Sequence, residues 1–142
     1  MRTNSQKGLT VFELIITVVA ISAIVIIAPI VWQRYARESH DLRRVGAVSE
    51  LQTALKNYFL AHSSYPLSIT PQNVSSTSPI IATLAEEFFI ARTHPPIDPE
   101  SPKYDLIYRS DGQSYIIKFC QLNFVQNDWS RGCDNQVYPL DI

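Results

Sequence analysis

The sequence predicts an α+β chain in which one long N-terminal helix is followed by a small antiparallel β-sheet head. Three features carry that expectation. Residues 14–32 contain no charged side chain. Apolar residues then recur at intervals of three or four as far as Phe59. Finally, an Asp111-Gly112 pair separates two alternating segments of the kind that form a hairpin. The 142 residues leave room for one modest domain plus an extended element. An apolar content of 46% and a charged content of 18% are ordinary for a folded protein, but the apolar residues crowd into the first quarter.

Charge and motif content exclude several functions. The net charge is −1, and residues 62–142 hold five basic and nine acidic side chains, so this half is acidic. Nucleic acid is therefore an unfavoured partner, because binding to phosphates needs a basic patch that displaces counterions. No nucleophile elbow, HExxH pair, phosphate-cradling loop or dinucleotide fingerprint occurs, and only four glycines are present. We therefore expect no enzyme and no catalytic residues. His40, His62 and His94 lack ligand spacing. Cys120 and Cys133 are the only cysteines. In an extracytoplasmic setting they are expected to form a disulfide, and closing a loop of about 15 residues is worth roughly 3 kcal/mol.

The uncharged segment is long enough to cross a bilayer. It is too long for an ordinary signal-peptide apolar region, and no small-residue cleavage site follows it, so it is expected to remain in the mature chain. Flanking charges do not orient it: Arg2 and Lys7 precede it, while Arg34, Arg37, Arg43 and Arg44 follow closely. The junction is more telling. A polar, basic leader ends in Gly8, and five residues later Glu13 stands at the edge of the apolar stretch. A carboxylate entering hydrocarbon without a partner costs a few kcal/mol. Glu13 either reaches headgroup water or has a partner.

The run Lys7-Gly8-Leu9-Thr10-Val11-Phe12-Glu13-Leu14 resembles the prepilin peptidase signal of type IV pilins and pseudopilins. The resemblance implies the pilin fold, cleavage between Gly8 and Leu9, and N-methylation of Leu9 as the first mature residue. It also makes Glu13 the fifth mature residue and the assembly or register group, whose carboxylate would neutralise the new amine of a neighbouring subunit. Such a pair fixes stagger rather than adding much stability. Pro29 stands one residue short of the position where the family often has proline, and some helix kink is expected near it.

The expected organisation is a leader at 1–8, a transmembrane and filament-core helix at 9–33, an amphipathic second half at 34–61 and a globular head at 62–142. The core stripe of the amphipathic half is Leu42, Val45, Val48, Leu51, Leu55, Tyr58 and Phe59, with Arg43, Arg44, Glu50, Lys56 and Asn57 on other faces. Pro66 ends the long helix, and Tyr65-Pro66 matches a pair common at this junction in the pilin family. The Ser/Thr-rich residues 68–78 read as loop. Ser78-Pro79 starts a short helix running through Ile80, Ile81, Leu84, Phe88 and Phe89. The proline-dense residues 94–102 read as an extended connector. Strands are expected at 104–109, with Tyr104, Leu106 and Tyr108 on one face, and at 114–119. After them comes an irregular tail with room for a last short strand.

The expected function is that of a structural filament subunit of a type IV pilus or pseudopilus. The alternative is a minor pilin or competence pseudopilin that serves as a membrane-anchored tip module for DNA or surfaces. The resemblance implies other pilin subunits, the prepilin peptidase/methyltransferase and an inner-membrane assembly platform as partners. It places the unprocessed chain in the inner membrane with its head outside the cytoplasm, and the assembled subunit in a surface filament or periplasmic pseudopilus. No cofactor is expected. Some pseudopilins bind calcium, and Asp98, Asp105 and Asp111 are the candidates here, although their spacing favours solvated loop carboxylates.

Overall fold

The computed structural model describes residues 10–122 and 129–140. The fold is α+β. Helix α1 spans Val11–His62, β1 Ser68–Val74, α2 Pro79–Glu86, β2 Leu106–Ser110, β3 Tyr115–Gln121 and β4 Gly132–Val137. The chain divides into two compact units, Met1–Ala36 and Arg37–Ile142. The amphipathic part of α1 thus belongs with the head.

In the second unit the strands form one antiparallel sheet in the order β1-β2-β3-β4. Alternation along β2 and β3 turns Leu106, Tyr108, Tyr115, Ile117 and Phe119 inward. They pack with Val48, Leu51, Ala54 and Leu55 of α1 and with Ile80, Ile81 and Leu84 of α2 in one core. The hairpin between β2 and β3 turns at Asp111-Gly112. Gly112 has φ +89°, a conformation that side chains other than glycine rarely adopt. The Asp111 carboxylate accepts from the N–H groups of Gln113 (2.9 Å) and Ser114 (2.8 Å). These two bonds hold its carboxyl below the usual range.

The Tyr65-Pro66 junction is tied to this hairpin. The Tyr65 N–H donates to the Gly112 carbonyl (2.8 Å), and the Tyr108 hydroxyl donates to the Pro66 carbonyl (2.8 Å). Tyr65 itself is buried between Phe59 (4.7 Å) and Tyr115 (4.8 Å). The end of the long helix is therefore fixed by the sheet as well as by proline.

Five local expectations need correction. Residues 68–74 form β1, paired with β2, rather than a loop. Tyr104 lies before β2, which begins at Leu106. Helix α2 stops at Glu86, short of Phe88 and Phe89. Leu42 is exposed rather than in the core, whereas Arg44 is fully buried. Asp98 is likewise buried rather than solvated, and the reason for both burials is their mutual pairing. The last strand of the tail is present as β4, and helix α1 runs through Pro29 without interruption.

Candidate assembly site

The first turn of α1 is built by Thr10 and Glu13. Thr10 Oγ1 accepts the Glu13 N–H (3.3 Å), and the Thr10 carbonyl accepts the Leu14 N–H (3.0 Å). Thr10 is thus the N-cap, and Glu13 occupies the third helical position, the spacing of a capping box. A carboxylate there faces the positive end of the helix dipole, which favours it by roughly 0.3–1 kcal/mol. This local use of Glu13 is not among the roles expected from the sequence, although the Thr-x-x-Glu spacing before an apolar run carries it. Gly8 and Leu9, the expected cleavage and methylation positions, lie outside the described residues.

Beyond Glu13 the helix presents apolar side chains all round. Every residue from 11 to 33 is exposed, including Phe12 at 73% and Trp32 at 77%. The segment is long and apolar enough to cross a membrane. Its two hydroxyls are satisfied within the helix: Thr17 donates to the Leu14 carbonyl (2.8 Å) and Ser22 to the Val18 carbonyl (2.7 Å). Neither therefore needs water. Pro29 has no N–H to offer the carbonyl one turn earlier, so the helix lacks one backbone hydrogen bond there. Beside it, Ala23 and Ala28 leave a shallow notch of about 590 Å³ bounded by Ile24, Trp32 and Tyr35. Small residues of this kind let a second helix approach closely.

In the head, a charge cluster fastens α1 to the connector and the sheet. The Arg44 guanidinium donates to Asp41 (2.5 Å), to both oxygens of Asp98 and to Glu100 (3.1 Å), and it lies 5.7 Å from the Tyr104 ring centre. Asp41 also accepts the Leu122 N–H at the end of β3 (3.2 Å), and His40 stands 3.7 Å from Glu100. Desolvation works against the Arg44 charge, but the Asp98, Glu100 and Asp41 carboxylates outweigh it, and its pKa is raised. Nothing in the local sequence marks Arg44 for this role.

The structure joins Cys120 of β3 to Cys133 of β4 in a disulfide, S–S 2.03 Å. The bond lies where the register between these strands shifts. The three candidate calcium ligands are not brought together. Asp98 serves Arg44, Asp105 accepts from Asn73 (3.1 Å) and Ser101 (2.6 Å), and Asp111 shapes its own turn. Among the described residues no group of three or more potential ligands could hold a metal ion.

No family model, curated protein or solved structure matches the chain. The functional reading rests on the geometry above and on the N-terminal motif.

Proposed function

We propose that this chain is a structural subunit of a type IV pilus or related pseudopilus filament, processed by a prepilin peptidase and assembled through its N-terminal helix. The observation that carries the reading is a helix exposed and apolar on every side from Leu14 to Trp32, with a lone carboxylate, Glu13, in its first turn. A surface of that kind needs lipid or other helices around it, and a subunit that passes from membrane to filament core meets both. Cleavage after Gly8 would create a cationic amine on Leu9, and Glu13, as the fifth mature residue, would supply the carboxylate that this amine meets on a neighbour. The disulfide suits an extracytoplasmic head.

Co-expression with a prepilin peptidase tests this directly. The mass of the wild-type chain should fall by that of residues 1–8, and Gly8→Val should block the change. An unaltered wild-type mass overturns the reading.

A further inference from the structure

We propose that the head carries both halves of a contact between copies of this chain, with Phe88 of one copy seated on the outer face of the sheet of the next. The inference rests on the proposed filament role and names the head surfaces that would meet in it.

The projecting half follows from the end of α2. The Phe88 N–H bonds to the Ala85 carbonyl (3.3 Å) and the Phe89 N–H to the Leu84 carbonyl (2.9 Å). That is the Schellman pattern, whose left-handed position is usually glycine. Here it is Phe88, with φ 63°. A bulky residue in this conformation is strained. The apolar contact of the turn falls to Phe89, which packs edge-on against Tyr58 at 5.8 Å. Phe88 is left 92% exposed. Backbone strain and an exposed ring both disfavour the isolated head at a single residue, and burial of the ring against a partner offsets them. Exposed Glu86 and Glu87 precede it, Glu87 lying 3.1 Å from His62. The projection is an aromatic knob with an acidic base.

The receiving half lies on the opposite side of the sheet from α1 and α2. Pro71, Ile107 and Ile116 floor a groove of about 380 Å³ flanked by Arg109 and Lys118. Strand register pairs Ile107 with Lys118 and Arg109 with Ile116, so the isoleucines occupy one diagonal and the cations the other. A phenyl ring laid on the isoleucines meets a cation on two sides, an arrangement favourable to the ring and to carboxylates beside it. Charge complementarity thus selects a second copy as occupant. Knob and groove are different patches, so each copy that offers its Phe88 to one neighbour still has its groove open to another, and the contact can propagate from copy to copy as the proposed filament role requires.

Cysteine cross-linking of the full chain in membranes tests the contact. Mixing Phe88→Cys chains with Ile116→Cys chains and oxidising mildly should give a cross-linked dimer, while one chain with both substitutions should give a ladder. Lys118→Cys, at an exposed position, replaces Ile116→Cys if the latter fails to fold. Reversing the groove charges with Arg109→Glu and Lys118→Glu should lower the Phe88–Ile116 yield by about tenfold, and Glu86→Lys with Glu87→Lys should restore it. Absence of the mixed dimer, a dominant Phe88-to-Phe88 product, or capture of a different protein by Phe88→Cys overturns the proposal. Filaments that form without the cross-link reject this contact and leave the filament reading standing. A ladder from chains that are never processed does the reverse.

Discussion

Arg44 and Asp98 are 54 positions apart and both are buried, with the guanidinium Nε and Nη2 donating to the two oxygens of the carboxylate. Arg44→Ala would leave Asp98 and Asp41 in the interior without their cation. The expected loss is about 3–5 kcal/mol, the usual cost of breaking a buried pair from one side. Urea denaturation of the full chain in detergent, followed by circular dichroism, measures it. Arg44→Lys should recover little, since one ammonium cannot reproduce the forked contacts to Asp98, Asp41 and Glu100.

Glu13→Gln keeps the size of the side chain and removes its charge. Processing after Gly8 should proceed normally, and head stability should be unchanged. Incorporation into sheared filaments should fall sharply. Normal incorporation would leave Glu13 with its local role at the helix start and reject an assembly role.

Alkaline titration reads out the aromatic core. Burial pushes the Tyr115 phenol up to about 12, and it raises Tyr65 and Tyr108 as well. The folded state therefore holds these protons above pH 10, where the unfolded chain releases them. Their stabilising contribution is complete below about pH 10 and is lost as pH climbs towards 12, on the order of 2–3 kcal/mol for Tyr115. Tyr115→Phe should flatten this alkaline loss in denaturation midpoints recorded between pH 8 and about 12.

Removal of the disulfide with Cys120→Ala and Cys133→Ala should cost roughly 2–4 kcal/mol. The β3–β4 register is the part most exposed to the change. Hydrogen exchange should show faster opening of β4 than of β2 in this variant, and uniform protection across the sheet would argue against a local role for the bridge.

Phe88→Gly should stabilise the head by about 0.5–1 kcal/mol, since glycine accepts a positive φ without steric cost. A rise in thermal midpoint accompanied by poorer association of copies would mark Phe88 as a residue kept for contact at the expense of stability. A fall in midpoint would mean that the ring supports its own head.

The long helix was legible because an unbroken apolar run and a spacing of three or four residues are local properties of the chain. The hairpin was legible from Asp111-Gly112, and the disulfide from two cysteines with no competing partner. Strand β1 was not. It is an edge strand whose burial reaches fully only Val74, so its polar, Ser/Thr-rich composition resembles a loop until β2 supplies the pairing. Arg44 was hidden for a related reason: its carboxylates come from a connector far along the chain, and only tertiary packing turns its helix face inward. Of the candidate assembly site, the Gly8-Leu9 and Glu13 spacing is plain in the sequence, and so is the Thr-x-x-Glu spacing of the Thr10 cap.

The internal hydrogen bonds of Thr17 and Ser22 bear on the energetics of the proposed assembly. Between Leu14 and Trp32, where both hydroxyls are turned back on the helix itself, hydrocarbon tails and neighbouring apolar helices are nearly equivalent solvents. Transfer between the two then has little downhill slope in either direction. A filament built on such a helix would need work supplied from outside to extract each subunit from the bilayer, and it would return those subunits to the bilayer almost as readily when that work is reversed.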